Sequence, residues 1–270
     1  MKEKDDRTGE EVVNQFTDQL ATQIDSASNI VVFTGAGIST ESGIADFRSP
    51  GGIWSKIKPI QFSEFLKSEE LRLEYWRRRF YFQKEFEAAP LNAGHHAVAS
   101  IINSQKGLGL ITQNIDGLHQ RSGIMDQHIV EIHGNGVRAV CLECQSPMDL
   151  NQVEKIIDQT GASPRCIRCG GLVKSAVISF GQPMPQNKMA EAEQLVSGCD
   201  LCLVLGSSLV VQPAASLPVA AKTNGSKLVI INNQPTPLDG ICDLLVQQPI
   251  GPTLQKALEK SSLGQESTNN

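Results

Sequence analysis

The 270-residue sequence predicts an α/β fold, a doubly wound parallel sheet with a smaller unit inserted into it. Three observations carry this. Apolar runs of strand length recur along the chain, helical spacing fills most of the intervals between them, and two stretches break the alternation. Glycine and polar residues follow several of the runs, as a sheet with its ligand crevice at the carboxyl ends of its strands requires.

Val12, Val13, Phe16, Leu20 and Ile24 repeat at helical spacing and mark an amphipathic first helix that covers a sheet face. NIVVFT (29–34) is a buried strand that breaks into Gly35 and Gly37. The strand signal returns at LGLIT (108–112), IVEI (129–132), AVISF (176–180), DLCLVLG (200–206) and KLVIIN (227–232). Residues 53–90 read as a helical insertion, and residues 137–175 as an irregular one holding four paired cysteines; together they make the smaller domain. The larger domain is expected in three parts, 10–52, 91–136 and 176–260, with 1–9 and 261–270 as flexible tails.

Composition is ordinary for a soluble globular protein, at 40% hydrophobic and 20% charged residues, and so selects no function. A net charge of −5 without a long block of like charge argues against direct nucleic-acid binding. No apolar stretch approaches bilayer length, and MKEKDDRTGEE lacks the apolar core of a secretion signal, so the expected compartment is the cytoplasm and no membrane partner is expected.

The most specific chemical signal is Cys141-Leu-Glu-Cys144, 21 residues, then Cys166-Ile-Arg-Cys169. Each CxxC turn aims two sulfurs at one point, and four thiolates complete a tetrahedral zinc shell with no place for water, which makes the site structural. Unliganded thiols or a redox pair are the alternatives. Cys199 and Cys202 share the spacing but lie in an apolar strand run, where residues three apart face opposite ways, so they read as buried core.

GAGIST, after the first strand, suggests a phosphate cradle, with Gly35 and Gly37 admitting a pyrophosphate; a plain tight turn fits the same residues. It lacks the dehydrogenase fingerprint, since Thr40 stands at the third glycine position and no ribose-binding acid follows. Asp46, Phe47 and Arg48 come next, before a Ser-Pro-Gly-Gly stretch, and resemble a ligand-gated loop. TQNIDGLH brings Gln113, Asn114 and Asp116 to one strand end and EIHGNG brings His133 to another, whereas His95, His96, His119 and His128 read as structural.

GAGISTESGIADFRS, TQNIDGLH, EIHGN, the CxxC pairs, ISFGQPMP, LGSSLVVQP and INNQPTPLD together resemble the sirtuin family in order and spacing, from about residue 20 to 260. The resemblance implies a Rossmann-like NAD domain, a zinc-ribbon plus helical small domain, and a cleft where an acyl-lysine peptide meets NAD. It implies an NAD-dependent protein-lysine deacylase, most simply a deacetylase, forming deacylated lysine, nicotinamide and acyl-ADP-ribose. Gly35, Ala36, Gly37, Asp46, Phe47 and Arg48 are then expected at NAD's pyrophosphate, ribose and nicotinamide side, and Gly206, Ser207, Ser208 and Asn232 at its adenosine half, with Ile250 near the adenine. Thr40, Trp54, Ile115, Asn233 and Gln234 complete the cofactor set.

His133 is implied as the base for a ribose hydroxyl, Asn114 and Asp116 as the groups that order water and grip the nicotinamide amide, with Gln113 near the ribose. Val177, Phe180, Gly181 and Val210 are expected along the peptide, which can pair as an added strand. Tyr75 and Arg78 have the Tyr-x-x-Arg spacing by which some sirtuins bind acidic acyl groups such as succinyl, although YWRRR reads equally as a solvated basic helix face. A protein mono-ADP-ribosyltransferase, a dehydrogenase and a non-catalytic binding module are the competing functions. Ala45, Ala176 and Gln182 depart from the family's commoner Pro, Pro and Glu.

Overall fold

The computed structural model describes residues 9–267. Residues 1–8 of the expected N-terminal tail and the side chains of Val12 and Val13 lie outside what is described. The chain opens with α1 (Gly9–Ser26), then β1 (Ile30–Thr34) and a 3₁₀ turn over Ala36–Ser42. The first insertion holds α2 (Ile53–Lys56), α3 (Phe62–Lys67) and α4 (Glu69–Ala88). Next come α5 (Ala93–Ile102), β2 (Gly107–Thr112), α6 (Leu118–Arg121) and β3 (Ile129–Glu131).

The second insertion is built on β4 (Gly134–Cys141), β5 (Pro147–Met148), α7 (Leu150–Thr160) and β6 (Val173–Val177). The chain ends with α8 (Gln186–Gly198), β7 (Leu201–Leu205), α9 (Ser216–Thr223), β8 (Lys227–Ile231), β9 (Leu244–Val246), α10 (Ile250–Lys260) and α11 (Ser262–Ser267).

Six strands form one parallel sheet in the order β3-β2-β1-β7-β8-β9. The chain winds outward from β1 in one direction and from β7 in the other, so the switch point lies between these two strands, where an α/β sheet opens a ligand crevice. Strand period two sorts the side chains. Ile30, Val32, Leu201, Leu203 and Leu205 join the core under α1, α5 and α10, while Val31, Phe33, Cys202 and Val204 join the core under α8 and α9. Burial of each such side chain contributes roughly 1.5–3 kcal/mol.

Several expectations are corrected. The run at 176–180 does not belong to the parallel sheet: the strand is β6, it starts at Val173, and it pairs antiparallel with β4 in a second sheet ordered β5-β4-β6. Lys174 and Ser175, both buried, gave this strand a polar start that an apolar-run reading skips. The first insertion is three helices, because Gln61 with Glu64 and then Ser68 cap new starts. The second insertion is regular, with α7 capped by Asp149 and closed at Gly161, φ +65°.

Residues 261–267 are ordered as well. Ser261 and Leu263 are buried, and the amide and hydroxyl of Ser262 donate to Asp25. Cys199 and Cys202 are buried as expected but enter the same core, since Cys199 precedes the strand and escapes its alternation. The edge strand β9 was not expected from sequence; only three residues long, it leaves too short a periodic signal.

Candidate active site

A cavity of about 780 Å³ opens at the carboxyl ends of β1, β2 and β7 and reaches under α4 and β6. It is within the range that holds a large small molecule. Of the residues singled out above, Gly35, Ala36, Gly37, Asp46, Phe47, Arg48, Trp54, Gln113, Asn114, Ile115, Asp116, His133, Gly206, Ser207, Ser208, Asn232 and Gln234 line it. So do Tyr75, Arg78, Val177, Phe180 and Gly181. Thr40, Asn233, Val210 and Ile250 do not. Thr40 is exposed and donates to the Gly37 carbonyl, Val210 is exposed, and Ile250 is buried in the core against Gly94.

The glycine turn has a structural reason the sequence did not disclose. A Cβ on Gly35 would stand 2.7 Å from the Gly206 carbonyl oxygen, and one on Gly37 2.7 Å from the Gly206 Cα. Gly206 itself has φ +65°. The loops after β1 and β7 are therefore pressed together, and the glycines serve that approach as well as any phosphate. The helix that follows is a seven-residue 3₁₀ turn rather than an α-helix.

Asp46 holds its own loop, its Oδ1 accepting from the amides of Arg48 (3.0 Å) and Ser49 (2.8 Å). Phe47 packs on Trp54 at 5.0 Å between ring centroids, and Trp54 meets Phe180 edge-on at 5.8 Å, so three rings from separate segments wall the cleft. Burial lowers the Arg48 pKa, partly offset by the Asp46 charge.

Asp116 is buried, its carboxylate accepting from Ser39 Oγ at 2.8 Å and from the Leu118 amide at 2.9 Å. Burial nevertheless raises its pKa above the usual carboxylate value. Asn114 Nδ2 donates to the same Ser39 hydroxyl at 3.3 Å. His133 Nδ1 lies 3.1 Å from the Gln113 carbonyl oxygen, which can only accept, so Nδ1 carries the proton and Nε2 keeps its lone pair. Burial, reinforced by Arg48, lowers the His133 pKa against the opposing Gln113 bond, so the imidazole is neutral near pH 7.

Tyr75 and Arg78 are already occupied. The Tyr75 hydroxyl makes a short bond to Ser175 Oγ, and Arg78 is held by Glu74 (2.5 Å) and by the Lys58 carbonyl (2.7 Å). An acidic acyl group would have to displace Glu74, so the succinyl reading loses its motif. The sequence also missed the inner wall, where Ile44, Ile57, Ile60, Phe82 and Phe86 line the cavity. In a sequence such apolar residues look like ordinary core.

The four cysteines converge as the spacing requires. Their Sγ atoms all lie within 4.8 Å of one another, with Cys141–Cys169 at 3.5 Å and Cys144–Cys166 at 3.6 Å, and none forms a disulfide. A tetrahedron with 2.3 Å Zn–S bonds has an edge of about 3.8 Å, so the set fits zinc closely. A Cβ on Gly171 would reach within 3.0 Å of Cys141 Sγ, which explains the small residue at this knuckle.

A model of the Sir2 family matches residues 35–213, from the glycine turn past the loop after β7. The chain belongs to the Sir2 family. Among Sir2 relatives, the NAD-dependent protein deacetylase of Rhodopseudomonas palustris is 50% identical over 237 residues, 88% of this chain and 94% of that protein. The NAD-dependent protein deacetylase of Saccharolobus solfataricus is 38% identical over 90% of this chain and 96% of its own length. One solved Sir2 enzyme structure superposes with a TM-score of 0.81 at 35% identity, covering 94% of this chain and 99% of that one. A Sir2 structure with a p53 peptide and NAD+ superposes at 0.77 with 34% identity, over 90% and 98%.

Proposed function

We propose that this Sir2 chain is an NAD-dependent protein-lysine deacylase, with acetyl-lysine its simplest substrate. The observation that carries the reading is the placement of a neutral, base-ready His133 in the same cleft as the glycine turn and the Asn114–Asp116 loop. The close relatives named as NAD-dependent protein deacetylases, and the related structure holding a peptide with NAD+, support it.

NAD, when bound, supplies the nicotinamide–ribose bond whose cleavage opens a carbon to the acyl oxygen. The chain's residues do the rest. The loops after β1 and β7 hold the phosphates and adenosine half, with Ser207, Ser208, Asn232 and Gln234 facing the cleft. Asp116 accepts from the nicotinamide amide, Asn114 orders water, and the rings of Phe47, Trp54 and Phe180 keep bulk water out. His133 Nε2 takes the proton from a ribose hydroxyl, while Nδ1 stays fixed on Gln113. The peptide lies beside Val177, Phe180 and Gly181. The four cysteines hold one structural zinc, and the two insertions form the smaller domain that closes the cleft.

Acyl-lysine proteins are then the partners, and the cytoplasm the compartment; no helix among the described residues is long and apolar enough to cross a membrane. Incubation with NAD and an acetyl-lysine peptide should release nicotinamide with acetyl-ADP-ribose, and His133→Ala should slow this by about 10²–10⁴-fold. Equal turnover of both proteins rules out His133 as base, and ADP-ribose found on the target protein would favour the transferase. Because the His133 pKa is lowered, the base form persists on acidification, and the acid limb of kcat/KM should fall below pH 6.5, the ordinary value of a histidine.

A further inference from the structure

Behind the cleft, two histidines are buried with no part in the chemistry above. His95 lies in the first turn of α5 and His119 in α6, at 0% and 2% exposure, their rings edge to face with centroids 5.3 Å apart. Each has one engaged nitrogen: His95 Nδ1 is 3.4 Å from the Asn92 amide, and His119 Nε2 is 3.0 Å from Thr34 Oγ1. The other two nitrogens, His95 Nε2 and His119 Nδ1, have no partner among the described residues. Such orphans in a dry interior need an explanation.

The surrounding bonds fix the tautomers. A backbone amide can only donate, so His95 Nδ1 carries the lone pair and its Nε2 the proton. Thr34 gives its hydroxyl hydrogen to Thr112 Oγ1 at 2.8 Å, so it must accept from His119. His119 Nε2 therefore carries the proton and its Nδ1 the lone pair. The two unpartnered nitrogens are thus one donor and one acceptor on neighbouring rings. Burial keeps both imidazoles neutral, with the His95 pKa pushed down to about 4, helped by His96 and Arg121, and that of His119 to about 3.

These rings meet edge to face between two runs of hydrogen bonds at the cofactor loops. Asn92, the cap of α5, donates through Nδ2 to the Ile38 carbonyl and to Ser42 Oγ, each at 2.8 Å, and so grips the glycine turn. Ser39 of that turn bonds Asp116 and Asn114. The Asn114 amide donates to Thr112 Oγ1 at 3.0 Å, and Thr112 leads back through Thr34 to His119. Donors and acceptors run head to tail from His119 through Thr34 to Thr112, the arrangement in which hydrogen bonds polarise one another, while His95 meets His119 by ring contact alone.

We propose that His119, through its relay of hydrogen bonds to Thr34 and Thr112, and His95, bonded to the Asn92 amide and packed edge to face on His119, hold the glycine turn and the Gln113–Asp116 loop in register with each other, making both histidines positioning residues for NAD. Neither lines the cleft. The role in NAD binding rests on the deacylase reading, since it assumes that these loops hold the cofactor; the tautomers do not.

Nitrogen NMR of the full-length protein, ¹⁵N-labelled at histidine, reads the relay directly. Both residues should be Nε2–H tautomers, without titrating between about pH 8 and pH 5. An Nδ1–H tautomer for either, or titration with an ordinary histidine pKa, overturns the relay. Calorimetry adds a functional arm. His119→Leu should weaken NAD binding about tenfold, the loss of one buried hydrogen bond, and leave the peptide KM within about twofold. His119→Gln, whose amide can replace Nε2–H toward Thr34, should recover NAD affinity to within about threefold of wild type. Folded His119→Leu binding NAD like wild type overturns the positioning role. If that variant does not fold, the tautomers still decide. Wild type that shows the tautomers yet releases no nicotinamide would sink the deacylase reading and leave the relay standing.

Discussion

Along β1 and β7 every residue is buried, and along β8 only Lys227 is exposed, whereas β4 mixes exposed, half-buried and buried positions and β6 is half-buried at its last two. The parallel sheet sits between two apolar layers of helices. The antiparallel sheet has one small cluster, built around Trp76, Ala139, Met148, Val153 and Val173, and two of its buried members are Cys141 and Cys166. One region is stable because it excludes water from both faces. The other counts its metal ligands as part of its core, so metal and packing cannot be lost separately.

The largest effect should come from breaking that dependence. Cys166→Ser should abolish bound zinc by elemental analysis and strip amide-exchange protection from β4–β6 and α7, while β1, β2, β7 and β8 stay protected, since structural zinc sites of this kind carry roughly 10–16 kcal/mol of apparent binding free energy. Full zinc retention would refute the ligand set, and uniform loss of protection would show that the two sheets do not unfold separately.

Next in size, Leu203→Ala in β7 should cost about 2–5 kcal/mol of global stability in denaturant unfolding without changing zinc content. A fall in zinc stoichiometry would mean that the two regions share one core after all.

Taken per pH unit, the smallest effect sharpens the contrast through pH. Burial holds the folded His95 and His119 pKa values down to about 4 and about 3 against an ordinary histidine value of 6.5, so between these limits the unfolded chain binds protons that the folded chain does not. Their contribution is whole above pH 6.5 and declines as pH drops through that window, by about 1.4 kcal/mol per pH unit for each proton. Asp116 and Glu131, whose pKa values burial raises, act in the opposite sense and offset part of the loss. Unfolding midpoints of the parallel-sheet region at a series of pH values check this, and a flat profile would contradict the buried-neutral histidines.

Most of the parallel sheet was legible because its strands are short, apolar and followed by glycine or polar residues, and period-two burial leaves little else for such runs to be. The cysteine knuckles were legible for a chemical reason: four thiols at those spacings have few other uses. What escaped was whatever depends on tertiary pairing. Nothing local in KSAVISF says that its strand joins β4 rather than the main sheet, and SSLGQES gives no sign that Leu263 is buried. Tyr75 and Arg78 have the spacing of an acyl-binding pair, but the sequence did not show that Ser175 and Glu74 already engage them. His95 and His119 were read as structural for lack of any local cue, because their partners lie in other segments.

The contact of Gly35 and Gly37 with Gly206 and Ser207 has a consequence for how this enzyme can change over evolutionary time. A single methyl added at Gly35, at Gly37 or at Gly206 meets backbone of the opposite loop within 3 Å, so no one of these sites can vary until the other side has already moved. Drift toward a different nucleotide must therefore begin in the surrounding wall, at positions such as Ser208, Asn232 and Gln234, while the knot between the two loops passes unchanged from ancestor to descendant.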